Sequence, residues 1–174
     1  MAHALSSMAV KIVPARSAQD IADAVRLGWA FFDMLREFPE VAADVEKYLR
    51  EHKVAEKFEA FAEHFLPPAG DCLLAKNGNL AVGTVMFVHR SDTRAEMTRM
   101  FLDPSAPGTG AGRLLCLGII DAARNAGYAE MTLDTLRVLE PAIALYRSVG
   151  FVDDDRPGTY GADDPNVVNM RLDL

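Results

Sequence analysis

Apolar and polar residues change their period partway along the chain. Val10–Pro14 alternates weakly and predicts a short first strand. Ser17-Ala18-Gln19-Asp20 then reads as a capping box with Asp in the place of Glu. Behind it Ile21, Ala24, Val25, Gly28, Trp29 and Phe32 recur at helical spacing, which predicts a helix over Ser17–Leu35. Pro39 stops it and suits the first turn of the next helix. Val41, Val45, Tyr48, Leu49, Phe58, Phe61 and Phe65 line one side of a long helical stretch, with a break expected near Glu51–Lys53. Pro67-Pro68-Ala69-Gly70 closes this half.

The second half reads in strands. Asp71–Lys76 and Leu80–His89 flank Asn77-Gly78, a strong tight-turn signal. Ala95–Leu102 is the next strand, stopped by Asp103-Pro104. A helix follows from about Gly110 to Asn125 and ends at Gly127. Ala129–Thr135 is a strand, Glu140–Val149 a helix, Phe151–Val152 the opening of a further strand, and Asn166–Asp173 the last one. This order predicts an α/β (α+β) fold, a mixed sheet with helices on both faces.

Length and composition narrow the class. The chain has 174 residues, half of them apolar, which is enough for one domain with a sizeable core. Residues 1–9 are expected to form a flexible tail ahead of a single domain over 10–174. The net charge of −7 carries no basic stripe, so nucleic acid is not an expected partner. The longest apolar runs, Val85–Val88 and Leu114–Ile120, are far too short to cross a bilayer, and no membrane partner is expected. Two cysteines, Cys72 and Cys116, each in an apolar run, read as buried free thiols, and the chain reads as cytoplasmic. No cluster of metal-ligating residues stands at ligand spacing, so no metal is expected.

The most informative segment is Met97–Leu115, where a strand runs through Pro107-Gly108-Thr109-Gly110-Ala111-Gly112-Arg113 into a helix. Alternating glycines let backbone approach a ligand closely. The first N–H groups of the helix lack partners and sit at its positive end, where a pyrophosphate fits. Arg113 follows Gly112 where a Walker A loop needs Gly-Lys-Ser/Thr, and the glycine spacing does not match the dinucleotide fingerprint. A flexible turn that only caps the helix is the bland alternative.

The segment Asp134-Thr135-Leu136, then Ala142-Ile143-Ala144-Leu145-Tyr146-Arg147-Ser148-Val149-Gly150-Phe151, lies downstream on a strand and a helix. Together with the glycine loop it resembles the GNAT superfamily of acyl-CoA-dependent N-acyltransferases, most closely over Glu96–Val152. The resemblance implies a mostly antiparallel, twisted sheet of six to seven strands, splayed between the fourth and fifth. It implies acetyl-CoA as cosubstrate, with the pyrophosphate on Gly108, Thr109, Gly110, Ala111, Gly112 and Arg113. The pantetheine arm would pair with Met100, Phe101 and Leu102. Pro107 departs from the Gln or Arg that usually opens the family's loop, and it brings neither an N–H nor a polar side chain.

The resemblance further implies direct attack by an amine. Tyr146 is the expected general acid for the leaving thiolate, against a packing role. Glu96 is the expected base, against a surface glutamate. The Met100 N–H is the candidate donor to the developing oxyanion. The acceptor, a small amine, amino acid or peptide, would meet the first helices, where Phe31, Phe32, Asp33, Glu37 and Phe38 cluster. The alternative there is a phenylalanine-packed helix end with solvated acids. His89 reads as structural, His52 and His64 as solvated, and Asp153-Asp154-Asp155 as a solvated loop near the acceptor mouth. A homodimer is possible, as in relatives. A non-catalytic acyl-CoA-binding or sensor module is the alternative function.

Overall fold

A computed structural model describes residues 9–106, 110–156, 158 and 164–174. Seven strands form one sheet: β1 (Lys11–Pro14), β2 (Gly70–Asn77), β3 (Leu80–Ser91), β4 (Arg94–Leu102), β5 (Glu130–Leu136), β6 (Val152–Asp153) and β7 (Val167–Asp173), in the spatial order β1-β2-β3-β4-β5-β7-β6. All neighbours are antiparallel except β4 and β5, which are parallel. That change of direction needs a crossover, and helix α5 (Ala111–Asn125) makes it, as parallel neighbours require.

The first half is helical, as its periodicity predicts. Helix α1 (Ala18–Arg36) opens on a reciprocal capping box between Ser17 and Asp20. Pro39 falls in a turn rather than in a first helical turn, because α2 (Ala42–Glu51) begins only after Val41. The expected break near Glu51–Lys53 is real. Lys53 sits in the left-handed region at φ 49°, and the chain restarts as α3 (Val54–Glu59) and α4 (Phe61–Phe65).

The two faces of the sheet bury different chemistry. On one, α5 and α6 (Glu140–Ser148) pack mainly aliphatic residues, among them Leu115, Ile119, Met131 and Met170, all fully buried. On the other, α1 to α4 pack Phe32, Phe58, Phe61 and Phe65 over Cys72, Leu74, Met86 and Phe101. Gly28 on α1 makes that aromatic layer fit: a Cβ there would lie 2.6 Å from Phe58 Cζ, so the ring rests on bare backbone. Cys72 and Cys116 are both buried free thiols, and burial pushes each up to about 12. No described helix is long and apolar enough to cross a membrane.

Candidate active site

The fourth and fifth strands part where the splay is expected. Their ladder holds only for Arg94↔Glu130, Ala95↔Met131 and Glu96↔Thr132. Beyond Glu96 the β5-facing edge of β4 has no strand partner among the described residues, while its other edge stays on β3 as far as Leu102. A bulge helps to turn β4 away. Thr84↔Phe101 and Met86↔Thr98 set three steps of β4 against two of β3. Arg99, within the bulge, has φ 55°, a conformation that costs a non-glycine residue of order 1–3 kcal/mol.

The split opens a cavity of about 800 Å³. Its walls are Glu96–Leu102 of β4, Leu133–Leu136 of β5, Leu145 and Tyr146 of α6, and Phe31, Phe32 and Phe38 around the end of α1. A row of unpaired strand-edge groups along an apolar slot suits an extended amide-bearing chain, which can pair like an added strand.

One end of the slot meets the N-terminus of α5. Gly110 caps this helix at φ 73°, with no side-chain cap and no acid in the first turn. A Cβ on Gly110 would meet nothing within 4 Å, so the position is constrained by its dihedral and not by crowding. Ala111 is buried, and Gly112 lies close to Met100 and Leu145, with 3.5 and 3.4 Å from a Cβ built there to their methyl groups. The helix therefore presents N–H groups without partners among the described residues, and a positive dipole end, next to the split, an arrangement that suits an anion. Arg113 is exposed, and its guanidinium donates to Ser148 Oγ at 3.1 Å, which ties α5 to the last turn of α6. Pro107, Gly108 and Thr109, the first part of the expected pyrophosphate loop, lie outside the described residues.

Tyr146 lines the cavity and is only 6 % exposed. Burial, with a smaller contribution from Cys116, raises its phenol well above the ordinary range, so it stays protonated at neutral pH. Cys116 and Cys72 cannot serve as thiolate nucleophiles near neutrality, because burial holds both as thiols. Glu96 is buried at the point where the strands part. Arg90 grips it with two hydrogen bonds, from Nε at 2.8 Å and from a terminal nitrogen at 3.2 Å. Burial works against the Arg90 charge, but the Glu96 carboxylate outweighs it and lifts the guanidinium above its usual range.

The helical wall differs from its simplest sequence reading. Phe31, Phe32 and Phe38 face the cavity, but Asp33 and Glu37 do not line it. Asp33 is exposed and paired with Arg36 at 2.8 Å. The acids are thus solvated and the wall is aromatic. His52 is half-buried and stacked on Tyr48 with centroids 4.2 Å apart, rather than solvated. His64 is exposed, as read. His89 shares a 2.9 Å hydrogen bond with Tyr128, a structural role. In the acidic run, Asp153 pairs with Arg147 and Asp154 with Arg156.

The residue that sequence reasoning missed is Arg99. It is 7 % exposed and lines the cavity beside Glu96. Its guanidinium lies 5.1 to 5.9 Å from the ring centres of Phe32, Tyr48, Phe58 and Phe65. One terminal nitrogen donates to Thr98 Oγ1 at 2.6 Å and to Tyr48 Oη at 3.2 Å, both neutral, while Nε is buried with no partner among the described residues. Cation–π contacts contribute about 0.5–2 kcal/mol, against several kcal/mol for removing a cation from water. The rings soften that cost without removing it. The available signal was a lone cation in the apolar strand Ala95–Leu102.

Among the described residues no group of three His, Cys, Asp or Glu side chains could hold a metal. Comparisons with known proteins agree with this geometry. An uncharacterized N-acetyltransferase of Schizosaccharomyces pombe is 39 % identical over 111 residues, 62 % of this chain and 66 % of that protein. An IAA acetyltransferase of Azospirillum brasilense is 37 % identical over 92 residues, 52 % of this chain and 60 % of that protein. The matched segments thus span less than two thirds of the length of these curated relatives. In fold, the chain is similar to a GNAT-family acetyltransferase of Staphylococcus aureus Mu50, with TM-score 0.73 and 15 % identity over 95 % of this chain and 99 % of that one. It is also similar to the PaiA N-acetyltransferase of Thermoplasma acidophilum in complex with coenzyme A, with TM-score 0.69 and 18 % identity over 96 % and 100 %. The sequence profile of the Acetyltransferase (GNAT) family matches residues 30–151, and the chain belongs to that family.

Proposed function

We propose that this protein is an N-acetyltransferase that moves the acetyl group of acetyl-CoA to the amine of a small acceptor by direct attack. The observation that carries this reading is the split between β4 and β5: a slot with a free strand edge at Met100–Leu102, an open helix N-terminus at one end, and Glu96 and Tyr146 on its walls. The coenzyme A held by the Thermoplasma neighbour supports the same ligand here. Gly110, Ala111, Gly112 and Arg113, with Gly108 and Thr109 ahead of them, would receive the pyrophosphate. The edge of Met100, Phe101 and Leu102 would pair with the pantetheine arm.

Acetyl-CoA supplies the activated thioester carbonyl. The acceptor must offer a neutral nitrogen, and an alkylammonium of pKa about 10.4 is mostly charged near neutral pH. Glu96, oriented by Arg90, takes the ammonium proton. The nitrogen lone pair forms the new C–N bond, the C–S pair leaves on sulfur, and the second proton that the nitrogen sheds in becoming an amide replaces the one Tyr146 gives to the sulfur. The Met100 N–H is the donor for the charge that gathers on the carbonyl oxygen meanwhile. Tyr146, kept protonated by burial, donates to the sulfur. Its raised pKa means that it yields the proton only to a thiolate that is desolvated in the same slot; the hydrogen bond comes first. Two buried thiols suit a reducing cytoplasm.

Titration calorimetry of acetyl-CoA, with coenzyme A for comparison, tests the binding half. Thiol release over a panel of amines tests the chemistry. Binding with turnover is the expected result. Tight retention of acetyl-CoA with no acetylated product from any amine would favour a binding or sensor module instead. No binding of either ligand would overturn the reading.

A further inference from the structure

Beside the slot lies a second cavity of about 570 Å³, which shares Tyr48, Glu96, Thr98 and Arg99 with it. Lys57 and Arg90 also line it, so that three cations share this cavity with two carboxylates, Glu96 and the exposed Glu63. Glu96 is already gripped by Arg90. Arg99 is buried at the junction of the two cavities; among the described residues its hydrogen bonds go to the neutral oxygens of Thr98 and Tyr48, and its Nε has no partner. Burial above all holds Lys57 and His52 below their ordinary ranges; Arg99 and Arg90 lower Lys57 further while Glu96 raises it, and Lys57 and Arg99 lower His52 further while Glu51 raises it. Buried charges in proteins are paired or coordinated, and a guanidinium matches a carboxylate in geometry as well as charge.

On the reading of the site as an amine acetyltransferase, we propose that the acceptor carries a carboxylate next to its amine, as a free α-amino acid does, with Arg99 and Lys57 holding the carboxylate while Glu96 receives the ammonium proton. The two recognition groups stand on one stretch of β4, three residues apart across the bulge, and an α-amino acid bears both of its charged groups on one carbon. The left-handed backbone at Arg99 thereby acquires a purpose. The bulge turns the guanidinium to the helical side, where the second cavity opens.

The test uses matched acceptors with the intact chain: L-leucine, L-leucinamide and isoamylamine, and L-phenylalanine, L-phenylalaninamide and phenethylamine. The amide keeps the shape, loses the charge, and has the less basic nitrogen, so a site indifferent to the carboxylate would favour it. A site built to pair a charged group rejects an analogue lacking it by up to about 10⁴-fold, and a preference for the acids of at least a hundredfold in kcat/KM is expected. Arg99→Gln should collapse that preference through KM for the acid, leave KM for acetyl-CoA unchanged, and be partly rescued by Arg99→Lys. Should Arg99→Gln fail to fold, Lys57→Gln, on a half-buried helical position, should lower the preference about tenfold. Acetylation of the amides and plain amines as well as the acids would overturn this inference and leave the acetyltransferase reading intact. Acetylation of none of the six would overturn this inference, and the acetyltransferase reading would fall with it only if no amine of the wider panel were acetylated.

Discussion

The two sides of the split strands are built from different materials. The α5 side is made of backbone: a left-handed glycine cap, the open N–H groups of a helix, and the bare edge of β4. The helical side is made of side chains: aromatic rings from α1 to α4 around the buried guanidinium of Arg99. Backbone groups are the same whatever the residue, so the first side suits a ligand common to a whole family. Side chains can be exchanged without moving the sheet, so the second side suits the acceptor, which sets this chain's own chemistry.

That division is tested most sharply at Tyr146, which stands between the two sides. Tyr146→Phe removes one oxygen and keeps the ring that packs edge-on against Phe151, at 6.0 Å between centroids. General acid catalysis contributes about 10²–10⁴-fold, so kcat should fall by at least a hundredfold while acetyl-CoA titrates as before. Unchanged turnover would remove the phenol from the mechanism. On the backbone side, Gly110→Asp puts a side chain where φ is 73° and a negative charge where the pyrophosphate is expected. Affinity for acetyl-CoA should drop by tenfold or more, over and above the cost of order 1–3 kcal/mol in stability that the left-handed φ imposes on any side chain although a Cβ there meets nothing. Equal loss of affinity and stability would mean that the position serves the fold alone.

The contrast also explains what the chain disclosed before its structure was known. The glycines at 108, 110 and 112, and Tyr146 at its spacing beyond them, lie close together in the sequence because the backbone side is one continuous β-α-β-α segment. The capping box, the Asn77-Gly78 turn and the break at Lys53 are local too, and each falls where its chemistry puts it. Arg99 escaped notice because its meaning depends on Phe32, Tyr48, Phe58 and Phe65, which come from four separate helices. His52 looks solvated in the sequence for the same reason: only the fold stacks it on Tyr48. Pro39 was assigned to a helix start that lies a few residues later, since the proline constrains its own φ without fixing where the next helix begins.

Glu96 offers a smaller but more diagnostic effect. In Glu96→Gln the acceptor must lose its proton unaided, so the rate should follow the fraction of free amine. The deficit in kcat/KM should be about tenfold or more near neutral pH and should shrink steadily toward alkaline pH, where the amine deprotonates by itself. A deficit constant across the pH range would make Glu96 a structural partner of Arg90 and nothing more.

The weakest expected effect concerns how the acceptor side is anchored. The wall that carries Phe31 and Phe32 hangs on α1, and Asp20 completes the capping box in the first turn of α1. The Asp20 carboxylate accepts from the N–H groups of Arg16 and Ser17, each at 3.1 Å, and pairs with Lys76 of β2 at 2.6 Å. Lys76 above all, then those two N–H groups, pull the carboxyl far below its ordinary range. A folded pKa below the unfolded one means that the stabilisation is fully present above about pH 4 and is lost as the solution is acidified toward the folded value. Asp20→Asn should therefore cost about 1 kcal/mol at pH 7, the usual worth of a helix cap, and the gap to the parent chain should narrow by pH 3. Denaturant midpoints at the two pH values measure it. Since α1 carries the aromatic wall and α5 the proposed anion site, any functional loss in Asp20→Asn should appear in KM for the acceptor before it appears in the affinity for acetyl-CoA. The reverse order would mean that the two sides of the split are not separable.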